Sequence, residues 1–208
     1  MNKGYYTLKK SASDSLIEKR SEFIGYACPV TTEDEAIEFV NSIKAKHADA
    51  RHNVYAYRLR EGNITRFSDG GEPHGTAGVP VLDVLRKEEL IDAAVVVTRY
   101  FGGILLGAGG LVRAYSAAAK LGVDAAGKIF LKPFTVFEMR LNYSVYQKLL
   151  KIMADFRVKT VDSDFGEEVY IKGTIPEERF DSFSETLRES TNATVAAMPC
   201  GTAYDFEV

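Results

Sequence analysis

Cysteine is scarce in this sequence. Cys28 and Cys200 are the only two, far apart in a chain of 208 residues. Two such cysteines build neither a disulfide framework nor a zinc site, and the usage suits a reducing compartment. Tryptophan is absent and histidine is limited to His47, His52 and His74. None of the three shows the paired helical spacing of a metal-binding helix, so no metal site is expected. No apolar run approaches the length of a membrane span, and no membrane partner is expected. The first fifteen residues lack the apolar core of a signal peptide, which gives an expectation of a cytoplasmic protein. A basic excess is missing too: the formal net charge is −3. That excludes a strongly electropositive surface of the kind that tracks nucleic acid along its length.

Apolar residues make up 46% of the chain, enough for a sizeable core. The last third reads cleanly as strand, helix, two strands, helix, strand. Phe134–Tyr143 is strand-like. A helix follows with Ser144 as its N-cap and Val145, Leu149, Ile152 and Met153 on one face. Pro176, Glu177 and Glu178 open a second helix that turns Phe180, Phe183 and Leu187 inward. This order predicts a ferredoxin-like plait over residues 132–208.

Residues 1–131 read as a separate α+β domain, with the division near Gly127 and Pro133. Thr32 caps a helix with acids in its first turn and with Ala36, Ile37, Val40 and Ile43 inward. Ala93–Tyr100 is an almost unbroken apolar run, expected of a strand covered on both faces. Residues 1–131 carry 17 Lys and Arg against 16 Asp and Glu, whereas residues 132–208 carry 9 against 13. An anionic partner therefore fits the first domain better.

Three stretches could carry chemistry. In "SDGGEPHGTAGVPVL" (Ser68–Leu82), Asp69, Glu72 and His74 are a potential acid/base set, and Thr76 a potential N-cap for a helix over residues 79–88. Residue chemistry alone favours a rigid, polar, surface-facing loop. In "TRYFGGILLGAGG" (Thr98–Gly110), Arg99 and Tyr100 end the apolar strand, and Gly102, Gly103, Gly107, Gly109 and Gly110 precede a helix. Neither the phosphate-loop nor the dinucleotide pattern is satisfied there, so a tight turn and a helix-terminal anion site both stay open. Arg99 reads equally as a structural partner of Asp69 or Glu72 and as a ligand hook. "ARHNVYAYRL" (Ala50–Leu59) sets Arg51 and His52 at the start of a strand bearing Tyr55 and Tyr57.

Together these three blocks resemble the signature of the Impact family, including its YigZ-like bacterial members. The resemblance rests on Arg51, His52, Asp69, Gly71, Glu72, Pro73, Gly75, Thr76, Ala77, Gly78, Arg99, Tyr100, Phe101, Gly102, Gly103, Gly107, Gly109, Gly110 and Arg113. A small residue fits the family pattern where His74 stands, which makes His74 a local variation. The resemblance implies a first domain similar to ribosomal protein S5 domain 2 and to domain IV of elongation factor G, and a second similar to domain V of that factor. It implies a non-enzymatic regulator of translation or stress response, with no catalytic residue and no cofactor assigned. Ribosome or RNA is then the expected partner, with Arg51, His52, Arg99 and Arg113 as phosphate contacts. A small-anion-binding protein or phosphate-handling enzyme using the glycine loop, and a protein-interaction module, remain the alternatives. Oligomeric state is not legible.

Overall fold

The computed structural model describes residues 4–206. Two compact units divide the described residues, one spanning residues 5–130 and the other residues 131–206 together with Gly4. The architecture is α+β in both.

In the first unit the strands are β1 (Tyr5–Leu8), β2 (Ala12–Glu18), β3 (Ser21–Pro29), β4 (His52–Arg58), β5 (Thr65–Ser68) and β6 (Ala93–Tyr100). The helices are α1 (Glu33–Lys46), α2 (Gly78–Lys87) and α3 (Ala108–Ala126). Five of the strands make one antiparallel sheet in the order β2-β3-β6-β4-β5. The apolar run of β6 earns its central place: every residue from Ala93 to Arg99 is buried. Alternation along the strands divides the core. Phe23, Val54, Val95 and Val97 face α2 and α3, while Tyr26, Tyr57, Ala94 and Val96 face α1.

Capping of α1 follows the sequence closely. Thr32 accepts from the Glu35 N–H, and the Glu35 carboxylate returns to the Thr32 N–H. Ala36, Val40 and Ile43 are buried, but Ile37 is 45% exposed, because it falls on the flank of the stripe and not at its centre. α2 begins at Gly78, one residue before the predicted start. α3 takes in Gly109 and Gly110, which the sequence reads as loop.

The second unit contains most of β7 (Lys128–Leu141), then α4 (Tyr143–Asp155), β8 (Lys159–Phe165), β9 (Val169–Pro176), α5 (Glu177–Ser190) and β10 (Met198–Asp205). The strands lie in the order β10-β7-β9-β8, each pair antiparallel. Phe137, Met139, Leu141, Ile171 and Ile175 line one sheet face beneath Leu149, Ile152, Met153, Phe183 and Leu187 of the two helices. Ser144 is not the N-cap of α4. That position belongs to Asn142, whose side chain makes no capping bond, because β7 gives way to helix after a single residue. Among the described residues, no helix is long and apolar enough to cross a membrane.

β3 and α3 come into very close contact. A Cβ added to Gly25 would lie 2.0 Å from the Ala118 carbonyl oxygen, and one on Gly122 would lie 2.7 Å from the Gly25 oxygen. Only paired glycines allow the helix to sit this close to the strand. Gly25→Ala forces backbone apart in a packed interior and is expected to cost about 3 kcal/mol. Urea titration checks this: the midpoint should fall while the slope with denaturant stays as in the parent.

Candidate functional site

Arg99 lies on the α2/α3 face of β6, two residues beyond Val97. Its guanidinium is buried. Nη1 donates to Glu72 Oε1 at 2.7 Å and Nη2 reaches Ser21 Oγ at 3.5 Å. Phe23 and Phe101 flank it, with ring centroids 5.3 and 5.4 Å from Cζ. Side-chain exposure of the Arg99–Glu72 pair is only 6% and 4%. Arg99 Nε is buried with no hydrogen-bond partner among the described residues, so a charge pair this deep leans on the partners that its other polar atoms find. Tyr115, on α3, supplies one: its hydroxyl donates to the same Glu72 oxygen at 2.8 Å. Burial, then the charge of Glu72 and this hydrogen bond, push the Tyr115 hydroxyl far above its ordinary range, so it stays a donor.

His52 pairs in register with Arg99 across β4 and β6. Its Nδ1–H donates to the Gly70 carbonyl at 3.1 Å, and Nε2 lies 4.0 Å from Glu72 Oε1. Glu72, Arg99 and Tyr115, with the half-buried His52 at the edge, therefore form one polar cluster joining β4, β6, α3 and the loop before α2.

Asp69 takes a different role. Its Oδ1 accepts from the Ala77 and Gly78 N–H groups at 3.2 and 2.8 Å, and Oδ2 from the Gly75 N–H at 3.0 Å. It caps α2 from eight residues upstream of Ala77. Thr76 is not the N-cap; its hydroxyl donates to the Pro73 carbonyl at 2.7 Å, and Ala77 occupies the cap position. Burial alone would raise the Asp69 carboxyl. The N–H groups of Gly75, Gly78 and Ala77, with His74 nearby, outweigh it and hold the carboxyl below its ordinary value.

The anticipated Asp69–Glu72–His74 set does not assemble. Asp69 faces the start of α2, Glu72 points inward, and the His74 side chain is fully exposed, 3.8 Å from Asp69 Oδ2. The loop is thus less surface-facing than its polarity suggests, since its two acids serve interior N–H and guanidinium groups. Arg99 is equally withdrawn from any external phosphate.

The glycine turn is divided. Gly102 sits against Arg20, where a Cβ would meet backbone at 2.0 Å, and its N–H donates to Ser21 Oγ at 3.1 Å. Gly103 and Gly107 adopt φ of +84° and +71° in open surroundings. Gly107 is the N-cap of α3; no side chain caps that end, and its first turn, with Gly109 and Gly110, holds no acid. Arg113 and Arg51 are exposed.

Tyr100 belongs to the opposite face of the sheet. Its hydroxyl donates to Asp49 Oδ1 at 2.9 Å, so its oxygen accepts from His47 Nδ1–H at 2.8 Å. His47 Nε2 is then the acceptor of the Tyr26 hydroxyl at 2.7 Å. Burial, with Lys46 adjacent, lowers the His47 pKa and keeps the ring neutral. Sequence reading does not find this chain, nor Tyr115, because the partners are distant in sequence and each residue alone looks like core. Among the described residues, no group of three or more His, Cys, Asp or Glu side chains is arranged to hold a metal ion.

Fold and site together define an α+β protein whose first unit is locked by a buried arginine–glutamate cluster. The family described as "Impact N-terminal domain" matches residues 19–123. "IMPACT family member YvyE" of Bacillus subtilis is 38% identical over 189 residues, covering 90% of this chain and 87% of that protein. "IMPACT family member YigZ" of Escherichia coli is 32% identical over 174 residues, 82% of this chain and 85% of that protein. The chain belongs to the Impact family and is YigZ-like. A "Protein IMPACT homolog" of Dictyostelium discoideum is 39% identical over 98 residues, 45% of this chain and 28% of that longer protein. A solved structure described as "an hypothetical protein" superposes with a TM-score of 0.66 at 27% identity, covering 97% of this chain and 99% of that one.

Two consequences follow for stability. Glu72→Gln removes the countercharge and leaves an interior guanidinium unbalanced, so unfolding free energy should drop by about 3 kcal/mol. The double variant Glu72→Leu with Arg99→Met should recover most of that loss, measured as a double-mutant cycle by urea titration. For Asp69, a folded pKa below the unfolded one means its stabilisation is complete above the unfolded value and fades as acid reaches the folded value. Asp69→Ala is expected to cost about 2 kcal/mol at neutral pH. The deficit should shrink below about pH 4, where the parent also loses the charge.

Proposed function

We propose that this protein is a non-enzymatic regulator of translation or of a stress response, acting in the cytoplasm in association with the ribosome or RNA. The observation that carries the reading is how the loop acids are used. Glu72 is taken by Arg99 and Tyr115, and Asp69 by three backbone N–H groups. Neither is free to move a proton for a substrate, whereas Arg51 and Arg113 stay exposed for contact with phosphate. Location in the first unit is supported by the family match, which falls inside it. The shorter stretch shared with the Dictyostelium relative is of comparable length.

The domain plan belongs to the same proposal. Residues 1–131 would be an S5-domain-2-like domain, similar to domain IV of elongation factor G, and residues 132–208 a ferredoxin-like one, similar to domain V. The antiparallel order β10-β7-β9-β8 with two helices on one face supports the second assignment. A second reading, a small-anion binder using the glycine turn, is favoured by the uncapped, acid-free start of α3.

Sucrose-gradient sedimentation of lysate tests the main reading. Part of the protein should travel with ribosomal particles at low salt, release as salt rises, and be reduced severalfold in the Arg51→Glu, Arg113→Glu double variant. Sedimentation confined to the top of the gradient at every salt concentration would overturn it.

A further inference from the structure

The α1 side of the sheet holds a cavity of about 310 Å³ that the cluster around Arg99 does not use. Lys44 of α1 and His47 at its C-cap, Arg51 just before β4 and Asn53 within it, Ser68 at the end of β5 and Gly70 just beyond line it. The volume is within the range of small-ligand sites. Its chemistry is one-sided, because no carboxylate lines it. Asp49, the acid nearest in sequence, is turned onto the Tyr100 hydroxyl.

Three acceptors around the cavity are engaged elsewhere. The Asn53 Oδ1 accepts from the Thr98 hydroxyl at 2.7 Å, which leaves the amide N–H₂ as the free end of that side chain. The Gly70 carbonyl accepts from His52, and the His47 carbonyl from the Ala50 N–H. Ser68 Oγ accepts from the Gly70 N–H at 3.2 Å and keeps its own proton to donate. The donors among the lining side chains are the Lys44 ammonium, whose Nζ lies over the Tyr55 ring 5.2 Å from its centroid, the Arg51 guanidinium, an amide N–H₂ and a hydroxyl. The wall is also fixed. Gly70 has φ +57° and approaches β4 so closely that a Cβ would lie 2.6 Å from the Asn53 oxygen. His47 is held at both ring nitrogens by Tyr26 and Tyr100. Two cations and two neutral donors on a rigid frame match a compact dianion better than a cation or a neutral sugar.

We propose that this cavity binds a small phosphomonoester, with Lys44 and Arg51 on the phosphate and Asn53 and Ser68 as neutral donors. The site lies apart from the start of α3 and does not depend on ribosome or RNA association. Failure of co-sedimentation therefore leaves it standing.

Isothermal titration of the full chain with adenosine monophosphate, inorganic phosphate and adenosine tests it. Adenosine monophosphate and phosphate should bind saturably in the sub-millimolar range, and adenosine should not. Lys44→Ala and Arg51→Ala should each weaken adenosine monophosphate about tenfold. Both side chains are exposed, so the melting temperature should hold. Ala108→Asp places an acid at the open start of α3 and should leave binding unchanged. The proposal fails if neither phosphate-bearing probe binds, or if adenosine binds as tightly as its monophosphate. It also fails if Lys44→Ala and Arg51→Ala leave binding intact while Ala108→Asp abolishes it.

Discussion

A single buried charge pair organises the first unit. Arg99 ends the central strand with a guanidinium that no apolar neighbour can satisfy, and Glu72 comes from a loop with little regular structure of its own. Neither could sit inside alone. Once paired, they dictate where neighbouring parts must lie. Tyr115 must bring α3 over the pair, Ser21 must present its hydroxyl from β3, and the loop must fold inward. The loop is then shaped by Asp69, which gathers three N–H groups and launches α2 in the right direction. Such a network stabilises only as a whole. This gives a physical reason for so polar a stretch to precede a helix whose inner face is apolar.

Much of the scaffold was legible because local and global signals agree. The run Ala93–Tyr100 became the buried central strand with those bounds, and Thr32 with Glu35 formed the capping box its spacing implies. In the last third, periodicity located both helices and all four strands. The misses have specific causes. β2 reads "ASDSLIE", an edge strand facing solvent over most of its length, so burial leaves no alternating mark on it. Gly109 and Gly110 suppress any helical propensity, yet α3 begins before them.

The site was legible as a set of residues but not as a geometry. The residues that recur in the family pattern include Arg99, Glu72, His52 and Asp69, and the structure gathers three of them around one oxygen. Which acid meets Arg99 was undecidable in one dimension, since Asp69 and Glu72 are only three positions apart. In the structure, backbone N–H groups hold Asp69 and Glu72 meets Arg99. Tyr115 left no trace because a tyrosine in an alanine-rich helix resembles any core aromatic. Functional polarity and structural polarity look alike until partners are counted.

The first two residues of "RHNV" have a consequence beyond their own contacts. Arg51 and His52 are adjacent in the chain yet serve opposite sides of the sheet, one lining the α1-side cavity and the other touching Glu72. Pleating makes that division depend on parity. A one-residue slip of β4 against β6 would carry a second guanidinium toward Arg99 and turn the imidazole to the side of Lys44. Electrostatic repulsion therefore disfavours the shifted pairing relative to the native register.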